Sequence, residues 1–235
     1  VIVMPADTPE IKKANTRWLG AEVVEYDRSS GDRAGIAQAI ADERGAVIVP
    51  PFDDPDIIAG QGTVGLEIAE DAASLGIDLE AVVIPAGGGG LAAGTSLAIK
   101  ALTPDTNVYV AEPEGFDDHA RSLNASKRCG NERNTGSICD ALLAPMPGEL
   151  TFAINRQTLT SGLVVSDSEA ARAMGAGFRD LKLVIEPGGA VALAAILEGR
   201  LPAGKGAVAA VISGGNVDAE LFCRLIGAGQ ENSAS

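Results

Sequence analysis

The chain has 235 residues, enough for one large α/β unit or two interleaved ones, and its 32 acidic against 18 basic residues give a formal net charge of −14. So negative a surface repels nucleic-acid backbones and anionic lipid headgroups, which excludes both as partners. No apolar run approaches the roughly 20 residues of a membrane-spanning helix, so we predict a soluble, cytoplasmic protein. The three cysteines lack metal-ligand spacing and are predicted to be free thiols.

Short apolar, β-branched runs alternate with longer helical segments along the chain. The predicted strands are Val1–Met4, Glu22–Tyr26, Ala46–Val49, Ala81–Ile84, Val108–Ala111, Leu163–Ser166, Leu183–Glu186 and Ala207–Ile212. The predicted helices are Pro9–Leu19, Gly31–Glu43, Gln61–Leu75, Leu91–Leu102, Ser168–Asp180 and Gly189–Glu198. Strands that are apolar on both faces and separated by helices indicate an α/β fold, with an open, mostly parallel sheet and helices on both faces.

Three stretches depart from this alternation. The segment from Phe116 to Thr160 is rich in Asn, Arg, Gly and Pro, and predicts a long excursion over the surface at a subunit contact. The polar tail Gln230–Ser235 is predicted to fray. Because Val1 already belongs to an apolar strand, we expect the sequence to be incomplete at the N-terminus.

A glycine-rich loop after the fourth predicted strand is the sharpest functional signal. It places Gly87, Gly88, Gly89 and Gly90 between a buried strand and a helix. Without side chains, backbone N–H groups can converge on an anion, and the helix N-terminus adds partial positive charge. The spacing matches neither the dinucleotide fingerprint nor the P-loop. The loop therefore predicts a phosphate site, with tight turns for packing alone as the alternative.

Two further predicted strands end in polar groups. Ser213 follows the strand that begins at Ala207, and Glu186 ends the strand before Pro187-Gly188-Gly189. Ligands of open α/β sheets sit at the carboxyl ends of strands, where a serine hydroxyl can bond a ring nitrogen. Capping of a turn or helix is the alternative for both residues.

The glycine loop, Glu186-Pro187-Gly188-Gly189-Ala190 and Ser213-Gly214-Gly215-Asn216 resemble, in this order, the fold type II pyridoxal-phosphate enzymes. The similarity is to the threonine/serine dehydratase and serine racemase branch. It extends over essentially the whole chain, since Val3-Met4-Pro5 resembles that family's small domain and Gly60-Gln61-Gly62-Thr63 its return into the large domain. The resemblance implies two interleaved domains, with residues 1–58 as the remainder of the small domain and 59–235 as the C-terminal portion of the large one.

The resemblance also implies pyridoxal 5'-phosphate as the cofactor. Its phosphate would lie on the backbone amides of Gly87, Gly88, Gly89, Gly90 and Leu91, its pyridine nitrogen at Ser213, and its ring near Glu186. A neutral hydroxyl does not enforce a protonated pyridinium, which favours β-elimination over transamination.

An acidic segment after the fifth predicted strand is similar to a divalent-cation site of part of this family. Glu112, Asp118 and the backbone carbonyl of Phe116 would be the ligands. Oxygen ligands suit Mg²⁺ or Ca²⁺; a solvated acidic loop is the alternative. The single histidine, His119, lies in a charged stretch without an obvious serine or cysteine partner, so no histidine-based triad is predicted.

The family's Schiff-base lysine motif is absent from these residues, and none of the six lysines matches it. The resemblance implies dehydration and deamination of L-threonine or L-serine to a 2-oxo acid and ammonia by a homodimer, with little activity expected of this chain alone. Serine racemase, 3-hydroxyaspartate dehydratase and a non-catalytic module that binds a phosphorylated ligand are the alternatives.

Overall fold

The computed structural model describes residues 1–231, with side chains to residue 227. Its first part is a small parallel sheet of β1 (Ile2–Pro5) and β2 (Val23–Tyr26), with Ile2 opposite Val23 and Pro5 opposite Tyr26. Two helices belong to this part, α1 (Glu10–Trp18) between the strands and α2 (Arg33–Arg44) after them.

A second, larger sheet has four parallel strands in the order β5-β4-β3-β6. The strands are β3 (Leu79–Pro85), β4 (Asn107–Pro113), β5 (Ser161–Val165) and β6 (Ala207–Ala210). The remaining α-helices are α3 (Pro55–Ser74), α4 (Gly90–Leu102), α5 (Asp118–Ala125), α6 (Glu149–Thr158), α7 (Asp167–Ala176), α8 (Pro187–Leu197) and α9 (Ala219–Glu231).

Side chains that alternate along the strands build a core on each face of the large sheet. Val82 and Ile84 of β3 pack with buried residues of α3 and α4 on one face. Val83 of β3 and Ala111 of β4 pack with α7, α8 and α9 on the other. This confirms the predicted α/β fold, with a parallel sheet covered by helices on both sides.

Local signals in the sequence set several helix ends. Ser166 and Glu169 form the capping box at the start of α7. Asp54 accepts hydrogen bonds from the first amides of α3, whose first residue is Pro55. Because α3 begins there, the proposed domain limit at residue 58 falls inside a helix.

Two predicted strands are wrong. Ala46–Val49 pairs with no described strand, and Val47 is 89% exposed. Leu183–Glu186 belongs to no strand of the described residues, although the Glu186 amide donates to the Gly214 carbonyl at 3.1 Å. β-branched residues favour extended backbone, but a strand also needs a partner with free hydrogen-bonding groups, and that partner is not a property of the run itself.

The segment from Phe116 to Thr160, predicted as an excursion over the surface, is partly helical and partly buried. It contains α5, α6 and a short 3₁₀ helix at Asp140–Leu142, and several of its side chains are fully buried. These helices were not predicted, because their buried faces carry polar groups such as His119 and Asn155 and so lack an apolar pattern. Among residues 1–231, no helix is long and apolar enough to cross a membrane. Residues 232–235 of the tail expected to fray lie outside the described part.

Candidate functional site

A cavity of about 700 Å³ lies where the small sheet faces the carboxyl ends of the large sheet. The predicted cofactor residues all line it, namely Gly87, Gly88, Gly89, Gly90, Leu91, Glu186 and Ser213. Lys12 of α1 and Arg33 of α2 line it as well. The fold therefore brings the glycine loop together with Glu186, about 100 residues later, and Ser213, about 30 residues after that. They meet at the position expected for a ligand of an open α/β sheet.

The glycine loop connects β3 to α4 and forms one wall of the cavity. Gly89 has φ +94°, a left-handed conformation that favours glycine. A Cβ atom at Gly88 would overlap the ring of Phe52, and one at Gly90 would lie 3.0 Å from the Phe52 backbone. Side chains are thus excluded at these positions by space as well as by backbone conformation.

The amides of this wall are available to a ligand. The N–H groups of residues 87–91 donate to no acceptor in the described chain, whereas Ala86 N–H still bonds to Ala111 of β4. Gly90 and Leu91 open α4, so their amides have no intrahelical partner and carry the positive end of the helix dipole. This donor set matches the three oxygens of a phosphate group.

Ser213 lies three residues beyond β6, and its hydroxyl group has no hydrogen-bond partner among the described residues. It does not cap a helix, since the next helix, α9, begins at Ala219. Glu186 occupies the N-cap position of α8, but its side chain makes no capping bond. The capping alternative is therefore excluded for Glu186, whose carboxylate is directed elsewhere.

That carboxylate binds Lys12, a residue that the sequence analysis did not place in the site. The Lys12 Nζ atom lies 2.7 Å from Glu186 Oε2 and 2.9 Å from Asp140 Oδ2. Burial acts to lower the pKa of Lys12, but the bonds to Glu186 and Asp140 outweigh it and raise the pKa above the ordinary value. Lys12 is thus held as a cation in the cavity. Its helical spacing gave no sign of this, because the partners are more than 120 residues away.

The predicted cation ligands Glu112 and Asp118 lie close together and are fully buried, which rules out a solvated acidic loop. Glu112 accepts 2.8 Å hydrogen bonds from the amides of His119 and Ala120. Burial, together with the Glu112 charge, raises the pKa of Asp118 to about 7. Phe116, whose carbonyl was predicted as a ligand, is also buried.

His119 joins this cluster, with Nδ1 3.4 Å from Glu112 Oε1 and 3.8 Å from Asp118 Oδ2. One ligand atom from each of the three residues lies within 4.8 Å of the others. His119 was not among the predicted ligands, since the sequence offered only the absence of a serine or cysteine partner for it. Oxygen and imidazole ligands in one buried cluster can hold a divalent cation.

Comparison with known proteins decides the family. The model of the family described as "Pyridoxal-phosphate dependent enzyme" matches residues 1–214. The chain belongs to the pyridoxal-phosphate dependent enzymes.

Relatives within this family include ammonia-lyases and racemases. The chain is 37% identical over 225 residues to the L-threo-3-hydroxyaspartate ammonia-lyase of Pseudomonas sp, covering 96% of this chain and 69% of that protein. It resembles the crystal structure of the T.th. threonine deaminase at a TM-score of 0.81 and 42% identity, covering 88% of this chain and 67% of that one. The structure of maize serine racemase matches at a TM-score of 0.86 and 32% identity, covering 100% of this chain and 71% of that one. The chain thus spans about two thirds of the length of these members of the pyridoxal-phosphate dependent family.

Proposed function

We propose that this chain forms the cofactor-binding part of an ammonia-lyase that eliminates the β-hydroxyl of L-threonine or L-serine and releases a 2-oxo acid and ammonia. The main support is that Gly87–Leu91 and Ser213 line one cavity, and that their amides and hydroxyl group have no hydrogen-bond partner among the described residues. Membership of the pyridoxal-phosphate dependent family supplies the cofactor class.

The chain's own groups fit the two ends of that cofactor. The amides of Gly87–Leu91 would hold the phosphate, and Ser213 Oγ would bond the pyridine nitrogen without forcing its protonation. When bound, pyridoxal phosphate supplies an electron sink that makes the α-proton of an amino acid acidic. Glu186 would lie beside the ring, with Lys12 compensating its charge.

A base for the α-proton is not evident among the described side chains. Lys12 lines the cavity, but its ion pairs with Glu186 and Asp140 keep it protonated at neutral pH. We therefore propose that the 235-residue chain alone binds the cofactor and has little or no dehydratase activity.

The substrate could instead carry a second carboxylate or undergo racemisation. The ammonia-lyase relative named for L-threo-3-hydroxyaspartate favours the first alternative, as do Arg28 and Arg33 in the cavity wall. Serine racemase is the second, supported by the maize structure. A non-catalytic module that binds a phosphorylated ligand would need the same loop but no base.

We further propose a homodimer, by analogy with the family, and a divalent cation held by Glu112, Asp118 and the Phe116 carbonyl. Burial of both carboxylates supports the cation site, and a cation would relieve their mutual repulsion. Such an ion would lie behind the glycine loop, since His119 of the same cluster lies against Gly89, and it would order the site rather than take part in the reaction.

The experiment supplies protein from its native source with L-threonine, L-serine and L-threo-3-hydroxyaspartate in separate assays, with the isolated chain alongside. Release of ammonia and a 2-oxo acid supports a lyase and identifies its substrate. Conversion of L-serine to D-serine without ammonia would support the racemase. Threonine-dependent 2-oxobutanoate from the 235-residue chain alone would contradict the proposal that it lacks the base.

A further inference from the structure

We propose that Thr151 and Asn155 of α6 are positioning residues that hold the glycine loop with its amides directed at the ligand phosphate. The inference rests on the proposed function, because it concerns the same phosphate site. Neither residue belongs to the motifs that identified the loop, and both lie more than 60 residues beyond it in the chain.

The two side chains bind successive carbonyl groups of the loop from behind. Thr151 Oγ1 donates to the Gly88 carbonyl at 2.8 Å, and Asn155 Nδ2 donates to the Gly89 carbonyl at 3.3 Å. Residues four apart lie on the same face of a helix, so α6 presents both donors together. Thr151 and Asn155 are completely buried.

The planar trans peptide bond connects these bonds to the cavity. Within one peptide unit the C=O and N–H groups point in opposite directions. A Gly88 carbonyl directed at α6 therefore turns the Gly89 N–H away from α6, and the Gly89 carbonyl does the same for the Gly90 N–H. These two amides belong to the set that has no acceptor in the described chain.

Helix α6, which carries both donors, is held in place at its first turn. Asp53 accepts hydrogen bonds from the amides of Glu149 and Thr151, at 2.9 and 3.0 Å, and so fixes the first turn of α6. The Gly148 amide adds a 3.2 Å bond to the Gly88 carbonyl. A rigid support of this kind keeps the donors in place before the ligand arrives, which lowers the entropic cost of binding.

His119 completes the rear of the loop. Its Nε2 atom lies 3.3 Å from Asn155 Nδ2 and would be 2.5 Å from a Cβ atom at Gly89. The imidazole thus fills the space behind the loop and limits the motion of Asn155. Thr151, Asn155 and His119 are buried polar side chains at a place where apolar residues could pack without hydrogen bonds. Their presence indicates that these positions serve to orient the loop and not only to stabilise the fold.

The same helix offers a matched control. Thr158 is also a threonine of α6, but its hydroxyl bonds to Ser96 Oγ of α4 at 2.7 Å and not to the loop. Thr151→Val and Thr158→Val remove the same hydroxyl from the same helix. The chain with each substitution, and with Asn155→Leu and Thr151→Ser, is titrated by calorimetry with pyridoxamine 5'-phosphate and with pyridoxamine, which lacks the phosphate.

A lost hydrogen bond of this class corresponds to roughly three- to tenfold in affinity. We expect T151V and N155L to weaken binding of pyridoxamine 5'-phosphate by this factor, T158V to stay within about twofold of the parent, and T151S to restore affinity. Binding of pyridoxamine should not change. Urea unfolding without ligand supplies a second measurement, in which T151V and T158V should lose similar stability.

Equal affinities for pyridoxamine 5'-phosphate in T151V, N155L and the parent would overturn the inference. An equal loss of this affinity in T151V and T158V would also overturn it, because it would indicate a general packing effect. If T151V does not fold, the comparison of N155L with T158V decides in the same way. A parent chain that binds pyridoxamine 5'-phosphate no better than pyridoxamine would contradict the phosphate site itself and thus the proposed function. A parent with phosphate-dependent affinity and insensitive variants contradicts the positioning role alone.

Discussion

Neutralising Asp118 should remove a pH dependence from the stability of the cation-free protein. Burial and the neighbouring Glu112 charge raise the pKa of Asp118 from 3.8 to about 7. Since its folded pKa lies above its unfolded pKa, the protein is most stable, as far as this group is concerned, below pH 3.8 and loses stability as the pH rises towards 7. The full cost of charging is about 4 kcal/mol, of which about 2–3 kcal/mol falls between about pH 5 and pH 8.

Urea unfolding of chelator-treated protein at about pH 5 and pH 8 measures this difference. Asp118→Asn should flatten the profile, whereas Asp117→Asn should not, because the Asp117 carboxylate binds Arg121 outside the buried cluster of Glu112, Asp118 and His119. Saturating Mg²⁺ or Ca²⁺ should also flatten the parent profile, since a cation stabilises the charged carboxylate. Parallel profiles for the parent and D118N would refute this explanation of the cluster.

Three further outcomes follow from the cavity. Lys12→Met should lower the free energy of unfolding at neutral pH by about 1–3 kcal/mol, because the buried Glu186 and the partly buried Asp140 lose their cation. The raised Lys12 pKa predicts that the loss seen by urea unfolding fades as the pH rises above about 10.5, and a loss independent of pH would contradict the ion pairs. Gly88→Ala should weaken calorimetric binding of pyridoxamine 5'-phosphate by more than about tenfold through overlap with Phe52, while Gly60→Ala, which has open space, should not; equal binding would refute the steric argument. Borohydride reduction of the chain with pyridoxal phosphate, followed by peptide mapping, should label none of its six lysines stoichiometrically, and stoichiometric label on Lys12 would contradict its role as a fixed cation.

Local patterns predicted most of the fold. Runs of apolar, β-branched residues and helix-capping signals are properties of short segments, so the strands near Ala81 and Val108 and the capping box at Ser166 were predictable. Ala46–Val49 has the same composition as a strand but no described partner, and pairing depends on the rest of the chain.

The candidate site was predictable where one segment carries the chemistry. Four glycines between a strand and a helix predict a phosphate loop without reference to other residues. Lys12, Thr151 and Asn155 act through partners more than 60 residues distant, and no local pattern marks such contacts. His119 was not predicted to join Glu112 and Asp118 for the same reason, because the burial of a polar side chain is decided by tertiary packing.

Diffraction from crystals of this chain grown with pyridoxal 5'-phosphate tests the proposed cofactor site directly. We expect the phosphate within hydrogen-bond distance of the amides of Gly87–Leu91 and the pyridine nitrogen about 3 Å from Ser213 Oγ. A cofactor bound elsewhere, or bound here with its phosphate turned away from the glycine loop, would contradict the proposed site.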